Sequence, residues 1–354
     1  MPLTAPIRDR PPPPMTATSV TPVTLLTGFL GSGKTTLLNR LLAHPAAGDC
    51  AVIVNEFGPI AIDHALVRTA SENVVLLPSG CVCCQVAGDL VQAMRDLYFK
   101  RAAGEIPAFR RAIVETTGLA DPSPLVRTLI ELPLVAARYS LSGIVTTVDG
   151  QHGMASLDRH PEAVKQAAVA DRLVITKADL APAGELDALD ARLAALNPGA
   201  PRLRSSRGDA DPERLLDTGL HRGAGRIAEA GSWLNAGAYR RVGAPVPAAH
   251  DPRVSAFAWY AGHPVDWPAF EDALATLLEI AGERVLRLKG LVNVAGESGP
   301  VAVHAVQHTL YPPARLPAWP DADRRTRLVF IVRDLEESFV AQTLDSFVLA
   351  SAER

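Results

Sequence analysis

The sequence predicts an α/β fold: a P-loop, doubly wound, mostly parallel sheet followed by a smaller C-terminal α+β domain. Three observations predict it. Between Val23 and Asp179, short apolar β-branched runs alternate with turns and helix-like spacing. A glycine-rich loop of phosphate-binding pattern follows the first run directly. From about residue 253 the alternation gives way to strands in succession with a helix at each end.

The apolar runs are VTLLTG (23–28), AVIVNE (51–56), VVLLP (74–78), AIVETTG (112–118), GIVTTVD (143–149) and RLVITKAD (172–179). Near-continuous hydrophobicity suits strands covered on both faces, as in a parallel sheet wrapped by helices. KTTLLNRLLAH and GDLVQAMRDLYFKRA carry apolar residues at helical spacing. Residues 202–250 are rich in Gly, Ala, Arg and Pro and read as the last helices of the first domain, then a linker. Beyond them VSAFAWYAG, VLRLKGLVNVAG, VAVHAVQHTLY and RLVFIVRDL alternate as strands, with helices at PAFEDALATLLEIAGE and ESFVAQTLDSFVLA.

A chain of 354 residues, 48% hydrophobic, is long enough for two domains with a sizeable core. Its net charge of −3 supplies no basic field, so nucleic acid is not expected as an obligate partner. No run reaches the ~18 uncharged apolar residues of a membrane span. The opening residues lack the apolar core of a signal peptide, and Pro11 to Pro14 mark an extended, disordered leader with Met15 as an alternative start. A cytoplasmic location is expected, and in a reducing compartment clustered cysteines bind metal or do redox chemistry more often than they form structural disulfides.

Gly28-Phe-Leu-Gly31-Ser32-Gly33-Lys34-Thr35 matches G-x-x-x-x-G-K-[ST] between a strand and a helix. Average composition produces the bare pattern in roughly one chain in a hundred of this length. Backbone N–H groups would close round a β-phosphate at the positive end of the helix. Lys34 would reach the β- and γ-phosphates, and the Thr35 hydroxyl would ligate Mg²⁺. Glu115, ending the run AIVE, is the candidate acidic partner for that ion, and Gly118 is placed where an amide could sense the γ-phosphate. Thr176-Lys177-Ala178-Asp179 ends a late strand: a carboxylate at Asp179 accepts from N1–H and the 2-amino group of guanine, which adenine cannot offer, while the Lys177 stem lies along the base. GTP is favoured over ATP. Leu119 and Ala120 after Gly118 supply no water-orienting glutamine, so slow intrinsic hydrolysis is expected.

Three of the four cysteines fall within Gly80-Cys81-Val82-Cys83-Cys84. Adjacent Cys83 and Cys84 would face opposite ways on a strand, so a turn must bring the three sulfurs to one point. Three thiolates fill three corners of a zinc tetrahedron and leave one open, as a site handing metal onward requires; the fourth ligand is unassigned. A redox pair and a buried apolar cluster are the competing readings, though a disulfide at either spacing would be strained. Glu56, in Val54-Asn55-Glu56-Phe57-Gly58, is a candidate to reach Mg²⁺ or complete the metal shell, against an exposed strand end. Cys50 reads as a small core residue. His304 and His308 are ~13 Å apart on a strand, too far to chelate one ion. His152 reads as loop structure, and Trp259, Trp267, Trp319, Tyr260 and Tyr311 as packing of the second core.

Together GFLGSGKTTLLN, NEFG, GCVCC, ETTGLADP and TKAD, in this order, resemble the CobW-type GTPases, P-loop metallochaperones related to the HypB and UreG proteins. The resemblance continues through ERVLRLKGLVNVAG, VHAVQHTLY and RLVFIVRDL and covers nearly the whole chain after residue 20. It implies GTP and Mg²⁺ at Gly31, Ser32, Gly33, Lys34, Thr35, Thr36 and Glu115, guanine selection at Lys177 and Asp179, and Zn²⁺ at Cys81, Cys83 and Cys84. Thr176 in place of Asn is common among such proteins. The implied layout is a leader (1–20), a GTPase domain with the CxCC motif (21–220), a linker (221–252) and a CobW-type C-terminal domain (253–354). The implied function is GTP-driven zinc delivery to a client metalloprotein, with a homodimer among the admissible assemblies. Activation of a cobalt or iron enzyme, in cobalamin synthesis or nitrile hydratase, and thiol redox sensing are the alternatives. The histidine-rich storage loop of many relatives is absent here, and Val54 and Pro59 replace carboxylates that flank NEFG in some.

Overall fold

The computed structural model describes residues 20–45, 49–54, 74–76, 83–216, 227–244 and 253–352. Its first sheet comprises β1 (Thr21–Gly28), β2 (Cys50–Val54), β3 (Val74–Leu76), β4 (Arg111–Glu115), β5 (Tyr139–Asp149), β6 (Arg172–Thr176) and β7 (Arg202–Arg204). The order is β3-β2-β4-β1-β5-β6-β7 and every pairing is parallel. A strand covered on both faces needs apolar residues at successive positions, and β2 is buried from Cys50 to Val54. Burial pushes the Cys50 thiol up to about 11, as befits a core residue.

Helix Lys34–Ala43 buries Leu37, Leu38, Leu41 and Leu42 against one face of the sheet, a spacing that sets a single apolar stripe. Helices Cys83–Ala103 and Ser123–Glu131 cover part of the opposite face through Leu90, Met94, Leu97, Leu125 and Leu129. β1 pairs with β4 on one side and β5 on the other, so the strand order reverses around it. Ligands of open parallel sheets bind at the carboxyl ends beside such a reversal.

Several sequence expectations shift. β4 stops at Glu115 and β6 at Thr176, because the residues after them turn into site loops. Helix Cys83–Ala103 begins earlier than GDLVQAM predicts, at Cys83. β7 was not anticipated: as an edge strand reading Arg-Leu-Arg it buries only Leu203. Within the expected linker the described residues hold helix Ile227–Leu234 and β8 (Arg240–Arg241), which joins the second sheet.

That sheet adds β9 (Val254–Ala261), β10 (Val285–Val292), β11 (Val301–Val306), β12 (Thr309–Leu310), β13 (Ala314–Arg315) and β14 (Thr326–Arg333). Its order is β12-β11-β10-β14-β9-β8, with β13 also on β11, and all pairs except β8–β9 are antiparallel. Helices Trp267–Ala281 and Glu337–Ala352 cover one face, packing Phe270, Leu274, Leu277 and Leu344 on Phe257, Leu288 and Phe330. The Asp266 side chain caps the first of them at Ala269 N. The other face rests on the first domain, where Ala258, Leu291, Val329 and Ile331 share a core with Leu157, Ala163 and Leu173. Trp259 and Trp267 pack the second core as expected. Tyr311 instead joins Leu125 and Leu129 of the first domain, while Tyr260 and Trp319 line the interdomain core, because this face of the sheet is covered by protein.

A buried ion cluster pins this contact. Asp171, just before β6, accepts from Ile144 N at 3.0 Å and pairs with Lys289 Nζ at 3.0 Å and with Arg287. Arg287 also donates to Val169 O, and Lys289 lies 4.8 Å from the Trp233 ring centroid. Burial alone would raise the Asp171 carboxyl, but the charges of Arg287 and Lys289 outweigh it and hold the group well below the ordinary carboxylate range. Burial and the like charge of Arg287 push Lys289 down to about 8 against the pull of Asp171. No helix among the described residues is long and apolar enough to cross a membrane.

Candidate nucleotide site

The loop Gly28–Gly33 leaves β1 at the strand-order reversal and feeds helix Lys34–Ala43. Gly33 at φ 83° gives the left-handed turn that aims backbone N–H groups inward, a conformation a side chain would strain. Lys34 Nζ donates to Gly28 O at 2.9 Å and Phe29 O at 3.2 Å, so the ammonium lies folded over the cradle. Hydroxyls pin the loop from below. Ser32 Oγ and Thr147 Oγ1 are 2.7 Å apart, and Thr176 Oγ1 donates to Ser32 O at 2.7 Å. Thr176 therefore ties the base-side loop to the phosphate loop through its hydroxyl, which explains how threonine serves at that position.

Thr35 Oγ1 donates to Glu115 Oε1 at 2.8 Å, with Glu115 buried at the end of β4. A hydroxyl and a carboxylate side by side beneath a phosphate cradle are hard oxygen donors, the set that suits Mg²⁺. Gly118 lies against the loop: a Cβ there would be 2.7 Å from Leu30 Cδ2 and 2.8 Å from Leu30 N. Gly118→Ala is therefore expected to lower GTP turnover by ~10-fold or more, equivalent to one lost hydrogen bond to a charged group. On the expectation that Gly118 meets the γ-phosphate, GDP affinity should change less than about threefold. Steady-state turnover with nucleotide titration checks both.

On the base side, Lys177 takes a left-handed φ of 53° and its Nζ donates to Asp149 Oδ2 at 2.7 Å. Burial works against the ionised Asp149. Hydrogen bonds from Lys177 and from the His152 and Gln151 amides nonetheless hold its carboxyl below the ordinary range. His152 thus sits in a loop, its amide 3.1 Å from Asp149 Oδ1. Asp179 lies 3.6 Å from Arg207 Nε, whose side chain is 83% exposed, a weak surface pair. The turn after β7 closes the site: Ala178 N donates to Ser205 O at 3.1 Å, and Arg40 Nε to Arg207 O at 3.3 Å beside the exposed Thr36.

The structure thus brings together Gly28, Gly31, Ser32, Gly33, Lys34, Thr35, Glu115 and Gly118, with Lys177 and Asp179 at the neighbouring strand end. Sequence reasoning missed Asp149, Gln166 and Ser205. Asp149 is the acid closing the run GIVTTVD, a signal that could have found it; Gln166 and Ser205 carry none. Glu56 and Cys81 lie outside the described residues, as do the side chains of Cys83 and Cys84. Among the described residues no three His, Cys, Asp or Glu side chains gather as a metal site. His304 stacks on Tyr311 at 4.1 Å, whereas His308 Nδ1 lies 2.7 Å from Leu278 O, two separate environments.

A P-loop closed by Thr35, Glu115 and Gly118 at the carboxyl edge of a parallel sheet defines a nucleotide hydrolase. Residues 22–204 match the CobW/HypB/UreG nucleotide-binding domain, and residues 254–348 the cobalamin synthesis protein cobW C-terminal domain. The chain belongs to the CobW/HypB/UreG family and is a P-loop GTPase of the CobW type. It is 32% identical over 320 residues to the zinc chaperone YjiA of Escherichia coli, covering 89% of this chain and 95% of that protein. It is 30% identical over 370 residues to the zinc chaperone CobW of Pseudomonas aeruginosa, covering 94% and 92%. The crystal structure of Zn(II)-bound YjiA GTPase superposes with a TM-score of 0.68 at 27% identity, covering 93% of this chain and 99% of the other.

Proposed function

We propose that this GTPase binds zinc through Cys81, Cys83 and Cys84 and delivers it to a client metalloprotein under control of the bound nucleotide. The observation that carries the reading is where the motif enters the fold. In an all-parallel sheet every strand ends at the same edge, so β3, the strand that precedes the motif in sequence, has its carboxyl end at Leu76 on the edge that holds the P-loop. Helix Cys83–Ala103 begins within the motif, and the positive end of a helix favours thiolate over thiol. The similarity to zinc chaperones over nearly the full chain supports the same cargo.

In this reading Lys34 and the loop amides hold the GTP phosphates, Thr35 and Glu115 hold Mg²⁺, and Gly118 registers the γ-phosphate. Asp179 and Lys177 select guanine. Mg²⁺ supplies charge neutralisation at the β- and γ-phosphates. With Leu119 and Ala120 beyond Gly118, no side chain there orients the attacking water, so unassisted turnover is slow. Elemental analysis of anaerobically purified protein should find about one zinc per chain and little in Cys83→Ser. A reduced wild-type protein without zinc, or a variant that holds it equally well, contradicts the proposal.

A further inference from the structure

Helix Pro161–Ala168 touches the nucleotide-sensing loop near its end and the second domain just beyond it. Gln166 is buried, and its Nε2 donates to Gly118 O at 3.2 Å and Ala120 O at 2.9 Å. Neighbouring Lys165 pairs with Asp121, whose Oδ1 accepts from Ser123 N at 3.0 Å at the start of helix Ser123–Glu131. After the helix, Val169 O and the Asp171 carboxylate are both held by Arg287 of β10. Helix Ser123–Glu131 makes a second bridge, since Thr309 Oγ1 donates to Glu131 Oε1 at 3.2 Å. The sensing loop is thus fastened to two helices that each grip the second domain.

The Gln166 catch is also not a fully satisfied one. Its Oε1 is buried without a hydrogen-bond partner among the described residues, and Gln166 lines a small cleft together with Leu30, Ser32 and Asp149. An unmatched buried acceptor makes the observed arrangement of Gln166 less than fully satisfied, so an alternative one costs less, as a two-position element needs.

We propose that Gln166 is a positioning residue for GTP hydrolysis: it holds Gly118–Ala120 where the Gly118 amide meets the γ-phosphate. Through its helix it passes the GTP-bound arrangement to Val169, Asp171 and Arg287, and so to the second domain. This rests on the GTPase site alone and is independent of zinc. Helix Pro161–Ala168 is the element whose position both the nucleotide-facing loop and the domain contact bias.

Gln166→Leu removes both donors, together with an acceptor that has no partner, so the GDP-bound fold should survive. GDP affinity is expected within about twofold of wild type, while kcat falls ~10-fold, the effect of two lost backbone hydrogen bonds. Hydrogen–deuterium exchange supplies the readout that simple destabilisation would not move. In wild type, segments 161–171 and 230–241 should differ between a non-hydrolysable GTP analogue and GDP. In Gln166→Leu the difference at 230–241 should vanish. Gln166→Met serves if the leucine variant does not fold. A wild-type protein with no nucleotide-dependent difference at 230–241 overturns the proposal. So does a variant that keeps the difference or the wild-type kcat.

Discussion

Replacing Asp171 with alanine is expected to destabilise the protein by about 3–5 kcal/mol, the cost of removing one member of a buried charge cluster. Arg287 and Lys289 are 2% and 7% exposed at their side chains, so both cations would be stranded between the domains without the carboxylate that neutralises them. The Ile144 amide would lose its acceptor as well. Chemical denaturation of wild type and variant measures the difference, and a loss below ~1 kcal/mol would mean that water reaches the cluster. The sign of the pH dependence follows from the depressed carboxyl. Asp171 contributes its stability above its unfolded value of ~4 and loses it as pH falls through the lower folded value. The Tm gap between wild type and Asp171→Asn should therefore narrow in acid below pH ~4.

Lys34→Ala is expected to lower kcat/KM for GTP by ~10²–10³-fold, the effect of removing a preorganised donor aimed at developing phosphate charge. The ammonium is already held in the cradle by Gly28 O and Phe29 O, so little reorganisation separates this arrangement from one that meets phosphate oxygens. The Lys34 side chain bonds backbone carbonyls at the end of β1 and is no part of the apolar cluster that its helix joins, so the Tm of the nucleotide-free variant should change little. A reduction below about tenfold would place the phosphates elsewhere.

The first domain was legible because its signals are local. The apolar runs and the glycines of Gly28–Gly33 are recognisable within a few residues, and the acid at Glu115, visible at the end of its run, does come to lie beside Thr35. Thr176 illustrates a partial reading: the sequence marks it as a departure from asparagine, and only the fold shows its hydroxyl bonded to Ser32 O. The interdomain cluster was illegible for a physical reason. In β10, Val-Leu-Arg-Leu-Lys-Gly-Leu-Val alternates, and a strand face carrying Arg287 and Lys289 has the pattern of one turned to water. It is buried because Asp171, far away in the chain, supplies the opposite charge. Gln166 was equally hidden, since a glutamine in a helix has the pattern of an exposed position. β7 escaped because an edge strand of three residues with one buried side chain carries almost no periodic signal.

Zinc affinity measured on the reduced protein in two states, bound to a GTP analogue and bound to GDP, probes metal transfer under nucleotide control most directly. A nucleotide can drive release only by as much as its own affinity differs between the metal-holding and metal-releasing arrangements. The predicted result is a change in zinc Kd of ~5-fold or more between the two states, lost in Cys83→Ser together with the tight binding itself. Equal zinc affinities in the GTP-analogue and GDP states would contradict it.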